Sequence, residues 1–204
     1  MYPGDLESLK QIPIKEIENA RMHQLPQILV TPIVRLNLEV PGKEIYLKLE
    51  NMQLLGSFKV RGAYNALRYL NSEDLLNGVV TSSSGNFGQG VAWTAQKLGI
   101  PCTVAVPYDS PKNKLEKIES LGAKVKKVSR QEFYDSIVSE RVGDVEGKYV
   151  SVVCNQHVIA GQGVIGLEIL QEHSNVDYVV CSWGGGSHAL GIASALKARS
   201  SHAR

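Results

Sequence analysis

The chain has little of what marks a specialised environment. Its only cysteines are Cys102, Cys154 and Cys181, odd in number, far apart and set in apolar, strand-like surroundings, which argues against a disulfide framework and a zinc site. Buried thiols are the expectation. The five histidines, His23, His157, His173, His188 and His202, never stand at helical ligand spacing with a second histidine or a carboxylate, so no metal site is expected and surface or capping roles suffice. Neither sign of charge dominates: 22 Lys and Arg against 20 Asp and Glu leave a net +2, no field that would gather nucleic acid or anionic lipid. No run is apolar for long enough to span a bilayer. Met1 to Asn19 carries Asp5, Glu7, Lys10, Lys15, Glu16 and Glu18 where a leader peptide would have an apolar core. The expectation is a soluble, cytoplasmic protein whose partner is a small molecule. Repeats, low-complexity tracts and long linkers are also missing, so composition marks no domain boundary.

What is present is a regular beat. At 204 residues and 43% hydrophobic, the chain can bury one sizeable core or two small ones. From Ile45 onward short β-branched runs alternate with longer amphipathic stretches, the pattern of βα units in a mostly parallel sheet. The runs predict strands at Ile45–Leu49, Gly78–Thr81, Cys102–Val106, Lys124–Val128, Tyr149–Val153 and Tyr178–Cys181. The stretches predict helices near Lys59–Leu70, Gly88–Leu98, Pro111–Leu121, Arg130–Val142, Gly161–Gln171 and Ser187–Lys197. Gly99 and Gly122 each follow an apolar helical face and read as helix stops. The lysines between Lys112 and Arg130 share their stretch with Leu115, Ile118 and Leu121 at helical spacing, so they form a solvated helix face and not a nucleic-acid patch.

Three segments carry chemistry. In Glu50-Asn51-Met52-Gln53-Leu54-Leu55-Gly56-Ser57-Phe58-Lys59-Val60-Arg61-Gly62-Ala63 a lysine falls in the first turn of a helix, where the dipole disfavours a cation. The dipole and burial behind Phe58 would lower the pKa of the amine and supply the neutral nucleophile that imine chemistry needs. Thr81-Ser82-Ser83-Ser84-Gly85-Asn86-Phe87-Gly88-Gln89-Gly90 follows a strand and opens a helix, so unpaired N–H groups and small hydroxyls make an anion site suited to a carboxylate. Trp183-Gly184-Gly185-Gly186-Ser187-His188 repeats that arrangement with a glycine nest that a phosphate can approach closely. The spacing of Gly85, Gly88 and Gly90 reverses the dinucleotide fingerprint. Gly143 to Tyr149 is one residue short of a P-loop and ends without its hydroxyl, so NAD and P-loop readings fall away.

In this order the three segments resemble the threonine dehydratase and serine racemase branch of the fold-type II pyridoxal-phosphate-dependent enzymes, which also have tryptophan synthase β-like members. The family shows a Gly-Ser-Phe-Lys-x-Arg-Gly-Ala segment, a Ser-Gly-Asn-x-Gly loop and a glycine-rich phosphate loop. The likeness runs from Thr31-Pro32 to the end and includes Val158-Ile159-Ala160-Gly161-Gln162-Gly163.

The resemblance implies an α/β fold of three layers, with βα-alternating, mostly parallel sheets and a C-terminal truncation relative to the family. Residues 1–70 with 151–204 would form an incomplete large domain, and 71–150 a small αβ domain. It further implies that Lys59 holds pyridoxal 5'-phosphate as a Schiff base, Phe58 packs near the cofactor, Asn86 bonds the pyridine hydroxyl oxygen, and Gly184, Gly185, Gly186 and Ser187 cradle the phosphate. Ser84 would face the substrate opposite Lys59, and Ser83, Ser84, Gly85, Asn86, Phe87 and Asn155 would line the substrate site. Leu55, Phe87, Ser187 and the shortened stretch around Asn155 depart from the family pattern, and of these Phe87 and Asn155 bear on substrate choice.

The expected activity is dehydration of L-serine, L-threonine or a similar hydroxy-amino acid, with racemisation on the same site as the alternative and a catalytically silent fragment as a second alternative. A homodimer is the form expected of a full-length member. No metal ligand is expected before Arg204.

Overall fold

The computed structural model describes residues 11–24, 26–153, 155–199 and 202–203. Cys154 and the first ten residues, on which some of the expectations fall, lie outside the described residues.

The central sheet is parallel and has four strands, β3 (Val79–Ser82), β4 (Cys102–Pro107), β5 (Lys124–Val128) and β6 (Lys148–Tyr149), in the order β5-β4-β3-β6. Every residue of β3 is buried, as expected for a parallel strand covered on both faces. Crossover helices α4 (Asn86–Leu98), α5 (Lys112–Ser120) and α6 (Arg130–Ser139) join the strands. Gly99 stops α4 in the left-handed region at φ 70°, and α6 starts in a capping box between Ser129 and Glu132. The chain steps outward from β3 to β4 and β5, then returns to lay β6 on the other side of β3. That reversal makes a topological switch point at the carboxyl ends of β3 and β6, where residues 83–85 and 150–153 leave the sheet.

A second body of helices packs around α7 (Gln156–Glu172), in which Val158 through Ile169 are all buried. Against it lie α1 (Ile14–Gln24), α2 (Lys59–Leu67) and α8 (Ser187–Ala198). Glycines let these backbones approach: a methyl on Gly161 would stand 2.5 Å from the Arg61 carbonyl oxygen, and one on Gly163 2.9 Å from that of Gly191. A cluster of buried side chains runs without a break from Ala63 and Leu67 of α2 through Phe87 and Val91 of α4 to Val104 and Ile118. A short antiparallel pair, β1 (Ile33–Arg35) with β2 (Tyr46–Lys48), and a 3-10 turn at Glu50–Met52 precede α2.

Five elements differ from the sequence expectation, one of them β1, where no strand was predicted. The Tyr149–Val153 strand shrinks to Lys148–Tyr149, because only Val79 and Val80 of β3 offer it partners. Tyr178–Cys181 forms no strand: Val179 and Cys181 pack beside α7 and α8, Tyr178 and Val180 face outward, and no neighbouring strand pairs with them among the described residues. Two short helices were not expected. Ile17, Ala20 and Gln24 recur at helical spacing to give α1 its buried face, a signal masked by surrounding charge. Asn71 and Asp74 form the capping box that starts α3 (Ser72–Asn77).

Among the described residues no helix is long and apolar enough to cross a membrane.

Candidate active site

Lys59 is the first residue of α2, after a turn in which Gly56 takes φ 70° and the Ser57 hydroxyl accepts a hydrogen bond from the Lys59 N–H at 3.3 Å. Its Nζ stands 4.9 Å from the centre of the Phe58 ring. Burial lowers the pKa of the amine below its ordinary value of 10.5. The segment predicted to carry a desolvated lysine does carry one.

The loop after β3 brings a second helix start to the same place. The Ser83 hydroxyl accepts from the Gly85 N–H at 3.3 Å, and Gly85 caps α4 without any side-chain hydrogen bond. The first N–H groups of α4, at Asn86, Phe87 and Gly88, have no carbonyl one turn back to bond. Added methyls show how close the parts lie: on Gly88 one would collide with the Ser83 carbonyl, and on Gly90 one would sit 3.2 Å from Cα of Val60. The first turns of α4 and α2 therefore meet backbone to backbone. Ser84 and Gly85 are half-buried and Asn86 is exposed.

Phe87 is a correction. Its side chain is 3% exposed and belongs to the core with Ala63, Val91 and Val104, so only its backbone N–H faces the anion site. An aromatic ring on the second residue of an amphipathic helix follows that helix's apolar side.

The third start is α8. Gly186 caps it at φ 84°, a conformation only glycine adopts without strain. Nothing lies within 4 Å of where a Gly184 side chain would begin, while Gly185 rests on Val153. Ser187 places its hydroxyl 2.7 Å from the Val152 carbonyl oxygen and 2.9 Å from that of Val153. Turned toward the strand end, it leaves its N–H as its contribution to an anion. The Asn155 side-chain oxygen accepts from the N–H groups of His157 and Val158 at 2.9 and 3.1 Å and caps α7. Its place just before a helix was the available signal.

His188 was passed over. Its ring stacks on Phe58 at 3.8 Å and 14° between planes, which joins the first turn of α8 to that of α2. Burial and then the Lys59 cation push its pKa down to about 4. The remaining thiols are inert by the same physics, since burial raises Cys102 to about 12 and also raises half-buried Cys181.

Three electropositive helix starts thus surround one desolvated amine. Tested against pyridoxal phosphate, this arrangement fits: an exposed glycine cradle at a helix start for the phosphate, an amine with a lowered pKa for the aldehyde, and a second helix start for a substrate carboxylate.

Residues 25–204 match the family model described as "Pyridoxal-phosphate dependent enzyme". The chain belongs to that family. It is 45% identical over 163 residues to an L-threonine ammonia-lyase of Thermotoga maritima, an alignment covering 78% of this chain and 40% of that protein. It is 37% identical over 196 residues to the catabolic L-threonine dehydratase of Staphylococcus aureus, covering 94% of this chain and 57% of the other. Among solved structures, the serine racemase of Dictyostelium discoideum superposes with a TM-score of 0.84 at 36% identity, over 92% of this chain and 62% of that one. The chain therefore spans about half the length of the curated relatives it matches. The resemblance drawn from three motifs, the α/β fold and the pyridoxal-phosphate dependence of the family all stand.

Proposed function

We propose that the protein is a pyridoxal-phosphate-dependent ammonia-lyase that dehydrates L-serine, L-threonine or a similar small hydroxy-amino acid. One observation carries the reading: the desolvated Lys59 amine sits where the starts of α2, α4 and α8 converge. Similarity to threonine ammonia-lyases and dehydratases supports the choice of reaction.

In this proposal Lys59 holds the cofactor, Phe58 packs beside its ring, Asn86 reaches its hydroxyl oxygen, and the N–H groups of Gly184 to Ser187 hold the phosphate. When bound, the cofactor supplies an electron sink for the charge left at the substrate α-carbon. The N–H groups that open α4, with Ser83, Ser84 and Gly85, take the substrate carboxylate. Lys59 then removes the α-proton onto Nζ, a step that needs an amine neutral near the working pH, which its burial favours. Loss of the β-hydroxyl as water leaves an enamine, and a water molecule then hydrolyses its imine form to the 2-oxo acid with release of ammonia.

Racemisation is the second reading, supported by the likeness to a serine racemase and by the half-buried Ser84 on the α4 loop. It requires Ser84 to return a proton on the face opposite Lys59.

The test is to supply the protein with pyridoxal phosphate and a panel of amino acids, scoring 2-oxo acid and enantiomer. Lys59→Ala is expected to abolish the visible cofactor band and both products. Ser84→Ala is expected to suppress racemisation far more than elimination. A cofactor band that survives Lys59→Ala, or 2-oxo acid formed without Lys59, would remove the assignment.

A further inference from the structure

His188 is the polar side chain at this junction that the reaction above leaves without a task. Its ring lies flat on Phe58, next in sequence to Lys59, and its Nδ1 stands 3.2 Å from the Ser182 hydroxyl. Its other nitrogen, Nε2, is buried and has no hydrogen-bond partner among the described residues. A buried ring nitrogen left unpaired is costly, so a native structure that retains one calls for a partner from outside the chain.

The surroundings say which kind. His188 is the second residue of α8, immediately behind the Gly184–Gly186 cradle, at the electropositive end of the helix. The charged groups acting on the ring are the Lys59 cation and the Glu50 carboxylate, and burial together with Lys59 keeps the imidazole neutral. In the tautomer whose Nδ1 accepts from the Ser182 hydroxyl, the single ring proton resides on Nε2. The result is an uncharged N–H donor with no acceptor, beside an ammonium group, a helix start and a glycine nest. Each of these favours an anion.

We infer that His188 donates a hydrogen bond through Nε2 to the phosphate of pyridoxal phosphate, adding a side-chain ligand to the backbone cradle of Gly184, Gly185 and Gly186. The inference rests on the cofactor reading above and adds a residue to it. Ser187, whose hydroxyl is turned to the Val152 and Val153 carbonyls, leaves room for a side chain one residue further on to take this part.

The experiment compares dissociation constants for pyridoxal phosphate and for pyridoxal, which lacks the phosphate, on the wild-type chain, His188→Ala and His188→Gln. His188→Ala should weaken pyridoxal phosphate about tenfold and pyridoxal less than about twofold, and His188→Gln, which keeps an N–H donor, should recover part of the loss. Equal weakening of both ligands would assign His188 to packing on Phe58 and overturn the inference, as would no weakening at all. Should the variants fail to fold, the wild-type chain labelled with 15N-histidine decides it: added inorganic phosphate must shift the Nε2 resonance of a ring that stays neutral to low pH. An unshifted resonance refutes the role. A wild-type chain that binds pyridoxal as tightly as pyridoxal phosphate removes the cofactor reading itself along with the inference.

Discussion

Arg61 and Glu168 meet through two parallel hydrogen bonds inside the protein, Nη1 to Oε1 at 2.8 Å and Nη2 to Oε2 at 2.9 Å, with side chains 1% and 3% exposed. Glu50 takes Arg61 from the other side at 2.8 Å, and Lys48 reaches Glu168 at 2.6 Å, so two cations and two carboxylates close a buried network. It joins β2, the turn at Glu50, α2 and α7. Because Arg61 follows Lys59 by two residues, the network also sets where the first turn of α2 rests.

Removing one member leaves buried charge uncompensated. Glu168→Ala is expected to cost about 3–5 kcal/mol of stability, read as a fall in melting temperature. Arg61→Lys should also destabilise, since an ammonium cannot reproduce the paired geometry. A loss for Glu168→Ala no larger than that of breaking the exposed Lys112–Glu116 pair, at most about 1 kcal/mol, would show that the network contributes nothing.

Gly161 supplies the second prediction. In an isolated helix Gly→Ala gains about 1 kcal/mol, but here the methyl would stand 2.5 Å from the Arg61 carbonyl oxygen and 2.8 Å from Cβ of Asn65. The collision is with backbone, so α2 must move away from α7, at a cost of about 1–3 kcal/mol. Gly161→Ala is expected to lower the melting temperature and weaken cofactor binding, because α2 carries Lys59. An unchanged or higher melting temperature would show that the crossing has slack.

The residues of these two predictions show how far the sequence reaches. Lys59 in a helix first turn, the glycines before α8 and the stops at Gly99 and Gly122 are local features, fixed by dihedral needs and free N–H groups, and so can be read from the string. Arg61 was visible only as part of a motif, since its partners Glu50 and Glu168 are brought to it by tertiary packing. Phe87, Ser187 and Asn155 were legible by position and not by direction: each stands in a helix start facing the site, yet Phe87 turns into the core and the other two bond neighbouring backbone. His188 was missed because a lone histidine has no spacing to betray it. Its meaning depends on Phe58, brought to it from 130 positions earlier in the chain.

Acid sensitivity follows from the same histidine. The folded chain holds the His188 ring neutral down to about 4, whereas an unfolded chain protonates it near 6.5. Between those values the unfolded state binds the extra proton, so stability present above pH 6.5 is lost as the pH falls toward 4. His188→Leu should flatten this part of the stability–pH curve by on the order of 2 kcal/mol. His157, which burial also lowers, contributes in the same direction in both proteins and cancels in the comparison. Parallel curves for wild type and variant would mean that His188 titrates alike in both states.

The last prediction concerns the segment that was expected to be a strand. Along residues 178–181 alternate side chains point opposite ways: Val179 and Cys181 pack beside α7 and α8, while Tyr178 and Val180 face solvent, Val180 with 97% of its surface exposed and Trp183 nearby with 80%. An extended stretch with one apolar face uncovered, and with backbone groups that no strand pairs among the described residues, presents both hydrophobic area and a hydrogen-bonding edge to any second molecule. The 204-residue chain is therefore expected to associate as its concentration rises, measurable by sedimentation velocity over a range of loadings. Val180→Lys places a charge in the middle of that face without touching a buried contact, so it should shift the distribution toward monomer while leaving the stability within about 0.5 kcal/mol of wild type. A chain that stays monomeric at every concentration, or one whose association is untouched by Val180→Lys, would show that this face is not where the molecules meet.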